Sequence, residues 1–224
     1  MSRRLQMISS SIGKKQLQAI TGLSFLGFLV IHLIGNLNIF GGLSPHGGEV
    51  PINKWGETLE LMGPIIPLFE AGLAAILLVH IVIGMSLWWT NLKGRGEVGY
   101  VGKKTEGGRS LGSQTMWVTG PIILAFILVH LFDFTIPHKT ANHDALNTLI
   151  SGRLHDPLWA AGYAIAFIAL GIHLSHGFWS ALQTLGVPSR REGGLRNSST
   201  WVGAIFALVF IAIVGFVYSQ VKVG

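Results

Sequence analysis

Five long stretches of the chain contain no lysine or arginine and are dominated by Leu, Ile, Val, Phe and Ala. These stretches cover positions 16–53, 55–92, 110–138, 154–189 and 197–221. An α-helix needs about 20 consecutive apolar residues to cross the hydrocarbon core of a bilayer. The pattern therefore predicts five transmembrane helices, at roughly 16–40, 64–90, 113–136, 157–186 and 200–221.

Residues that favour turns and helix ends lie at the borders of these stretches. They are Gly41-Gly42 after the first, Gly63-Pro64 before the second, Pro137 after the third and Asp156-Pro157 before the fourth. Proline is tolerated in the first turn of a helix but breaks the helix interior, so we expect Pro137 to end the third helix. The first stretch is too long for the apolar region of a signal peptide and is kept as a helix.

Composition agrees with a membrane protein. Half of the 224 residues are hydrophobic and only 12% are charged, whereas about a quarter of a soluble domain is charged. The loops are too short to fold alone. We therefore expect an all-α integral membrane protein in which a four-helix bundle and a fifth helix form one domain over residues 1–224.

The basic residues are distributed unevenly between the two ends of the predicted helices. Twelve of the sixteen lie in the N-terminal segment, the loop between the second and third helices, and the loop between the fourth and fifth. Cytoplasmic loops are enriched in Lys and Arg. We therefore expect a multi-pass protein of the bacterial cytoplasmic membrane, with its N-terminus in the cytoplasm and its C-terminus outside. The net charge of +6 then reflects topology and does not indicate nucleic-acid binding.

The chain contains no cysteine and nine histidines. The missing cysteines exclude disulfides, cysteine-ligated iron–sulfur clusters and thioether-attached haem. Histidine is the one strong nitrogen ligand available, so any metal or cofactor chemistry on this chain depends on it.

The first four predicted helices contain an internal repeat. In the first, Thr21-Gly22 is followed nine residues later by His32, and the third has the same spacing from Thr119-Gly120 to His130. The second reads His80, three residues, Gly84, and the fourth reads His173, three residues, Gly177. The chain therefore resembles two copies of a two-helix unit followed by a fifth helix.

A glycine one turn from a histidine leaves room for a flat porphyrin to approach the backbone. We expect this role for the four glycines of the repeat, Gly22, Gly84, Gly120 and Gly177. The alternative is tight helix–helix packing, for which small residues are enriched in membrane bundles.

Four histidines lie inside the predicted spans, where a polar side chain is costly and functional by default. With a rise of about 1.5 Å per residue, His32 and His130 lie roughly 10–14 Å from the outer end of their helices. His80 and His173 both lie roughly 24 Å from that end. Two histidines on two helices at one depth can hold a haem from both faces.

His176 lies one turn from His173 and is the alternative ligand of the fourth helix. We favour His173 because it matches His80 in the repeat, and a supporting role remains open to His176. The other histidines, in the outer loops, are expected to be ordinary solvated residues: His46, His138, His143 and His155.

In order and spacing, these motifs resemble the two-haem cytochrome b subunit of succinate dehydrogenases and fumarate reductases with a single five-helix anchor. The matching residues are Ala19-Ile20-Thr21-Gly22 leading to His32, then His80, then Thr119-Gly120 leading to His130, and the segment from His173 to Trp179. The resemblance covers about 16–215, nearly the whole membrane part.

The resemblance implies two b haems stacked across the membrane, the inner one bound by His80 and His173 and the outer one by His32 and His130. It also implies that an FAD-containing flavoprotein and an iron–sulfur protein dock on the cytoplasmic face. Electrons would pass between succinate or fumarate there and a quinone, often menaquinone, near the outer haem. A basic residue that contacts a haem propionate after the last ligand in some relatives has no clear match here.

Some relatives use a carboxylate near the outer start of the second helix in quinone protonation. Glu57 and Glu60 are the nearest candidates for this catalytic role. Asp133, one turn outward from His130, is a third candidate, because a carboxylate in an apolar stretch is costly without a partner.

Other functions remain open from the residues alone. The histidines could form a proton relay or interhelical hydrogen bonds in a non-haem transporter, including one for zinc or copper. The chain could also be the cytochrome b subunit of another redox complex, such as a hydrogenase or a formate dehydrogenase. A visible difference spectrum distinguishes the transporter, and co-purification of a flavin-containing subunit distinguishes the two redox complexes.

Overall fold

The computed structural model describes residues 10–43, 50–94, 111–140, 146–187 and 192–221. These residues form helices joined by turns and short irregular segments, and no strand occurs among them. Five of the helices are long and apolar enough to cross a membrane. The prediction of an all-α membrane protein with five spanning helices is confirmed.

Among the described residues, two short α-helices lie apart from the five spanning ones, and a 3₁₀ segment, Leu37–Gly41, continues the first spanning helix. In chain order these α-helices are α1 (Ser11–Asn36), α2 (Pro51–Glu60), α3 (Ile65–Gly94), α4 (Leu111–His130), α5 (Leu146–Leu154), α6 (Pro157–Thr184) and α7 (Glu192–Val221). The spanning helices are α1, α3, α4, α6 and α7. The end of the bundle at which α1 begins and α3 ends is called the inner end, and the opposite end is the outer end.

Three spanning helices extend beyond the predicted apolar segments. The α1 helix begins at Ser11, where the Ser10 hydroxyl accepts a hydrogen bond from the Gly13 amide at 3.1 Å. The α3 helix continues past its apolar segment to Gly94, and α7 begins at Glu192. Backbone hydrogen bonding continues into polar sequence because long basic side chains reach water from the helix ends.

The prediction that Pro137 ends the third helix is wrong. After His130 the chain forms a π-helical turn, Leu131–Thr135, and then a short α-helical segment, Ile136–Thr140, that contains Pro137. Proline at the second position of this segment needs no amide hydrogen, so the helix continues through it. The π-helical turn carries Asp133, and such turns often occur at functional sites.

The outer end is covered by α2 and α5, which occupy segments that the sequence pattern left as loops. A pair of hydrogen bonds joins these helices: the Asn53 amide donates to Asn147 Oδ1 at 3.0 Å, and the Asn147 backbone amide donates to Asn53 Oδ1 at 3.0 Å. Asn147 is completely buried. In the turn between α2 and α3, Gly63 has a φ of +55°, a conformation that glycine adopts without strain.

The most tightly packed contact joins α6 and α7 at a pair of glycines. A Cβ atom on Gly171 would lie 2.8 Å from the carbonyl oxygen of Gly203, and one on Gly203 would overlap the carbonyl oxygen of Gly171. Small residues allow such close backbone approach in membrane bundles. Next to this contact, Phe167 of α6 stacks on Phe210 of α7 with ring centroids 4.8 Å apart, and both side chains belong to the core.

The α3 helix has no buried residue, in contrast to α6. It packs mainly against α1 and makes no comparably extensive contact with α4 or α6. Its apolar side chains, such as Leu68, Leu78 and Val82, are largely exposed, as expected for side chains that face lipid. The bundle is therefore loosely filled on the side where α3 lies.

The glycine contact predicts a large difference between two substitutions in α7. Gly203→Ala places a methyl group against backbone, and we expect a loss of about 1–3 kcal/mol in the free energy of unfolding because the two helices must separate. Gly215→Ala is the matched control, since a Cβ there meets no atom within 4 Å. Thermal unfolding in detergent measures both. Equal unfolding temperatures would contradict the close contact.

Candidate functional site

His32 of α1 and His130 of α4 lie side by side near the outer end and are called the outer pair. Their ring centroids are 5.8 Å apart and their planes are inclined by 82°. Aromatic rings surround them: Phe28 stacks on His32 at 5.2 Å, and Phe126 and Phe134 lie 5.6 and 5.2 Å from His130. Aromatic rings therefore line both imidazoles of the pair.

The outer pair also contains an unsatisfied polar atom. Nδ1 of His130 is buried and has no hydrogen-bond partner within the described ranges. Buried polar atoms are nearly always hydrogen-bonded, so an exception calls for an explanation. A hydrogen-bond partner from outside the described residues would satisfy this nitrogen.

His80 of α3 and His173 of α6 form the inner pair. The two imidazoles lie within range of electrostatic interaction. A threonine of a neighbouring helix contacts each imidazole. Thr21 Oγ1 lies 2.9 Å from His80 Nδ1, and Thr119 Oγ1 lies 3.2 Å from His173 Nδ1. The threonines of the two Thr-Gly motifs therefore make equivalent contacts in the two halves of the repeat.

These contacts are satisfied by one protonation state of the inner histidines. Each threonine hydroxyl lies within hydrogen-bond distance of a backbone carbonyl, that of Leu17 at 2.9 Å from Thr21 Oγ1 and that of Thr115 at 3.1 Å from Thr119 Oγ1. When the hydroxyl hydrogen is donated to that carbonyl, the hydroxyl oxygen accepts a hydrogen bond from Nδ1–H of the histidine. We infer a neutral imidazole with a free lone pair on Nε2, the form that ligates metals.

Gln18, a residue that the motifs did not single out, lies directly against this lone pair. Its Nε2 is 3.1 Å from Nε2 of His80, with the amide donating. Its Oε1 is buried and lacks a partner in the described part of the chain. Gln18 precedes Thr21 by about one helical turn and so shares its face, which is the signal that could have identified it.

The four glycines of the repeat differ in their surroundings. A Cβ atom on Gly22 would lie 3.5 Å from Cε1 of His80, and one on Gly84 would lie 3.3 Å from the amide nitrogen of Gln18. On Gly120 and Gly177 a Cβ would meet nothing within 4 Å. Tight helix packing therefore does not explain the last two glycines, and the space beside them is free for another group.

The separation of the two outer histidines can be compared with that of two axial haem ligands. Within the described ranges, no three His, Cys, Asp or Glu side chains come together as a metal site. A porphyrin brings its own four nitrogens, so two axial imidazoles are enough. Metal–imidazole bonds of about 2 Å put the centroids of two axial rings about 6 Å apart. The 5.8 Å of the outer pair agrees with that separation.

Asp133, a candidate for quinone protonation, is buried in an ionic cluster at the outer end. Its carboxylate accepts a hydrogen bond of 2.8 Å from the Tyr163 hydroxyl and forms an ion pair with Arg153. The Arg153 guanidinium also lies over the Trp159 ring, 4.2 Å from its centroid. Arg153 belongs to α5, and the sequence pattern had left it as a loop charge. These partners offset the cost of burying Asp133.

The other two candidate carboxylates lie on α2. Glu57 is exposed, and Glu60 is bonded to Nε2 of His138 at 3.0 Å. The prediction that His138 is an ordinary solvated residue is wrong, because this side chain is only 20% exposed and has a carboxylate partner. Sequence reasoning also missed Glu70, a carboxylate within the apolar start of α3, which pairs with Lys139. Its place in a span was the available signal.

The remaining histidines are placed as follows. His176 lies within electrostatic range of His173 and of Arg196 in α7. The exposed His155 has its Nδ1 3.0 Å from the Gly152 carbonyl oxygen. His46 and His143 lie outside the described residues.

Comparison with known protein families, characterised proteins and solved structures returns no match to this chain. The function is therefore inferred from the residues and their geometry.

The buried cluster predicts the effect of neutralising its carboxylate. Asp133→Asn removes the charge that faces Arg153, and we expect a loss of about 1–3 kcal/mol in the free energy of unfolding. The loss stays below that of a fully buried pair because 35% of the Arg153 side chain is exposed. Tyr163→Phe, which removes one hydrogen bond, should cost about 1 kcal/mol. Unfolding in detergent is the measurement, with the exposed Glu57→Gln as control. An Asp133→Asn variant as stable as that control would contradict the ion pair.

Proposed function

We propose that this chain is the membrane anchor and dihaem cytochrome b subunit of a succinate:quinone oxidoreductase. The observation that carries the proposal is the pairing of four span histidines, one from each of four helices, at two levels of the bundle. In the inner pair Thr21 and Thr119 contact Nδ1 of the two imidazoles, which leaves Nε2 as the nitrogen for iron once Gln18 gives up its bond to His80. The resemblance of the motifs to succinate dehydrogenase and fumarate reductase anchors supplies the assignment to succinate.

Two b haems would be held by this chain, the inner one by His80 and His173 and the outer one by His32 and His130. When bound, the haems carry single electrons between the two ends of the membrane. The protein holds the ligands in place: Thr21 and Thr119 orient the inner imidazoles, and aromatic rings keep water from the outer ones.

Succinate chemistry belongs to partner subunits in this proposal. The chain has no cysteine for iron–sulfur clusters and must exchange electrons with another protein. A flavoprotein with FAD and an iron–sulfur protein would dock on the inner end. Most of the basic residues belong to that end, which supports a cytoplasmic location for it and for the N-terminus in a bacterial membrane.

Quinone, taken as menaquinone in this proposal, would react at the outer end near His32 and His130. An open cavity of about 310 Å³ lies at this end and is lined by Asn38, Pro51, Lys54, Trp55 and Thr58. Quinone reduction consumes protons, so a carboxylate within reach is useful. Glu57, Glu60, Asp133 and Glu70 are the candidates.

Purification from native membranes tests the assignment as a whole. We expect a b-type difference spectrum and a co-purifying flavin-containing subunit with succinate:quinone activity. A preparation with haem but without a flavoprotein would favour another redox complex. A preparation without haem would favour a proton-coupled transporter that uses the histidines as a relay.

Haem content and ligand pairing can be tested directly. Pyridine haemochrome analysis should give about two haems per chain, because four histidines form two pairs. Replacing His80 or His173 by Ala should remove one spectral component, and replacing His32 or His130 should remove the other.

The ligand choice in α6 has its own control. His176→Ala should retain both haems. Loss of the inner component on replacing His176 but not His173 would show that the wrong ligand was chosen. If the His80 variant and the His32 variant lost the same spectral component, the pairing by depth would be contradicted.

The threonine contacts predict a change in redox potential. A hydrogen bond from Nδ1–H makes the imidazole a stronger donor to iron and favours the oxidised state. Thr21→Val or Thr119→Val should raise the midpoint potential of the inner haem by on the order of tens of millivolts, and Thr→Ser should restore it.

Matched controls for this prediction are Thr90→Val in α3 and Thr184→Val in α6. Their hydroxyls bond only to backbone carbonyls, those of Ser86 at 2.8 Å and Ser180 at 2.7 Å. Spectroelectrochemical titration measures both components. If the control variants shift the inner haem as much as the Thr21 and Thr119 variants, the threonines do not act through the histidines.

The carboxylates are tested by amide substitution at Glu57, Glu60, Glu70 and Asp133. If one of them delivers protons to quinone, its amide variant should lose quinone-linked turnover while succinate oxidation with a soluble acceptor is retained. Only variants that keep both haems are compared. Full quinone activity in all four would place proton delivery elsewhere.

A further inference from the structure

Lys14 differs from the neighbouring basic residues at the inner end because it points into the bundle. Its Nζ donates a hydrogen bond to Ser86 Oγ of α3 at 2.9 Å, and the side chain is partly buried, whereas Lys15 is exposed. The sequence pattern had treated both lysines as topology signals. An ammonium group has three donors, so a single hydroxyl leaves most of its bonding capacity open.

Lys14 belongs to a polar face of α1 that follows α3 toward the inner pair. Lys14, Gln18 and Thr21 are spaced by four and three residues and so lie on one side of the helix. Thr21 and Gln18 contact His80, and Lys14 contacts Ser86. The cation therefore lies on the side of α1 that faces the inner pair, about 10 Å along the axis from Thr21.

The Gln18 amide nitrogen provides a second sign that a hydrogen-bond acceptor belongs here. It is bonded to the Nε2 lone pair of His80 at 3.1 Å. That lone pair cannot serve both Gln18 and an iron. Once His80 ligates iron, the Gln18 amide needs a different acceptor beside Lys14.

This polar face breaks the internal repeat. When Thr21 is aligned with Thr119, Lys14 corresponds to Gly112 and Gln18 to Met116; when His80 is aligned with His173, Ser86 corresponds to Trp179. At these three positions one half of the repeat is polar and the other is not. Haem has the same asymmetry, because its two propionate carboxylates lie on one edge and the rest of its rim is apolar.

We propose that Lys14, supported by Ser86, binds a propionate carboxylate of the haem held by His80 and His173. The inference rests on the proposed dihaem function and adds to it a residue that binds the cofactor. A carboxylate at this depth needs a cationic or hydrogen-bonded partner. A cation beside the haem also stabilises the reduced form, because reduction adds a negative charge.

The test compares Lys14→Gln with Lys15→Gln in the complete complex, purified in a neutral maltoside detergent. Midpoint potentials of both haems are measured by spectroelectrochemistry. Lys14→Gln should lower the reduction equilibrium constant of the inner haem about tenfold, which is about 59 mV for one electron, and leave the outer haem unchanged. Lys15→Gln should change neither. Lys14→Arg should keep the wild-type potential, and Ser86→Ala should give a smaller shift in the same direction.

Each other outcome overturns the inference. If the midpoint potential of the inner haem is unchanged in Lys14→Gln, the Lys14–Ser86 contact serves only to hold the two helices together. An equal change in the potentials of both haems would indicate a general disturbance of the structure. A shift seen only in phospholipid nanodiscs, and not in detergent, would assign Lys14 to a lipid phosphate. If Lys14→Gln does not assemble, an unshifted potential in Ser86→Ala gives the same negative result. Wild-type protein without haem would overturn the proposed function itself, which distinguishes that failure from the others.

Discussion

A polar side chain inside an apolar span must find a partner, because the hydrocarbon around it offers none. That requirement explains several of the hydrogen bonds and ion pairs that join the helices of this protein. Thr21 and Thr119 join α1 to α3 and α4 to α6 through histidines, and Asp133 joins the π-helical turn of α4 to α5 and α6. Where the described residues supply no partner, as at His130 Nδ1 and Gln18 Oε1, the unpartnered atoms lie beside the histidine pairs.

Much of this arrangement follows from the sequence, and the part that does not has a physical reason. Helix rise is constant, so depth along each span could be read from residue number, and it brought His32 to His130. Which side of a helix faces which neighbour depends on packing, so the bond from Thr21 to His80 and the role of Gln18 could not be derived. The continuation through Pro137 depends on a π-helical turn, which has no reliable sequence signal. Arg153 reaches Asp133 because its segment forms the helix α5. That segment has no strong helical pattern, so the contact could not be derived from the sequence.

The repeat and its exceptions have different meanings. The matched Thr–His contacts in the two halves indicate a shared solution to one problem, the orientation of an imidazole in an apolar span. The departures are Lys14 and Gln18 on one side against Gly112 and Met116 on the other, and in the proposed function they lie beside the edge of the haem that carries the propionates. A symmetric scaffold can hold an asymmetric ligand only if its symmetry is broken where that ligand is asymmetric.

The loose attachment of α3 has a consequence for the assembly and degradation of the protein in the cell. A helix with no buried residue can enter the bilayer by itself, but few contacts then hold it in the bundle. In the proposed function, a cofactor that bridges His80 and His173 would fasten α3 to α6 as a late step of biogenesis. Chains made during haem shortage would keep this helix detached and exposed to membrane proteases, so cofactor supply would set the amount of the subunit that accumulates.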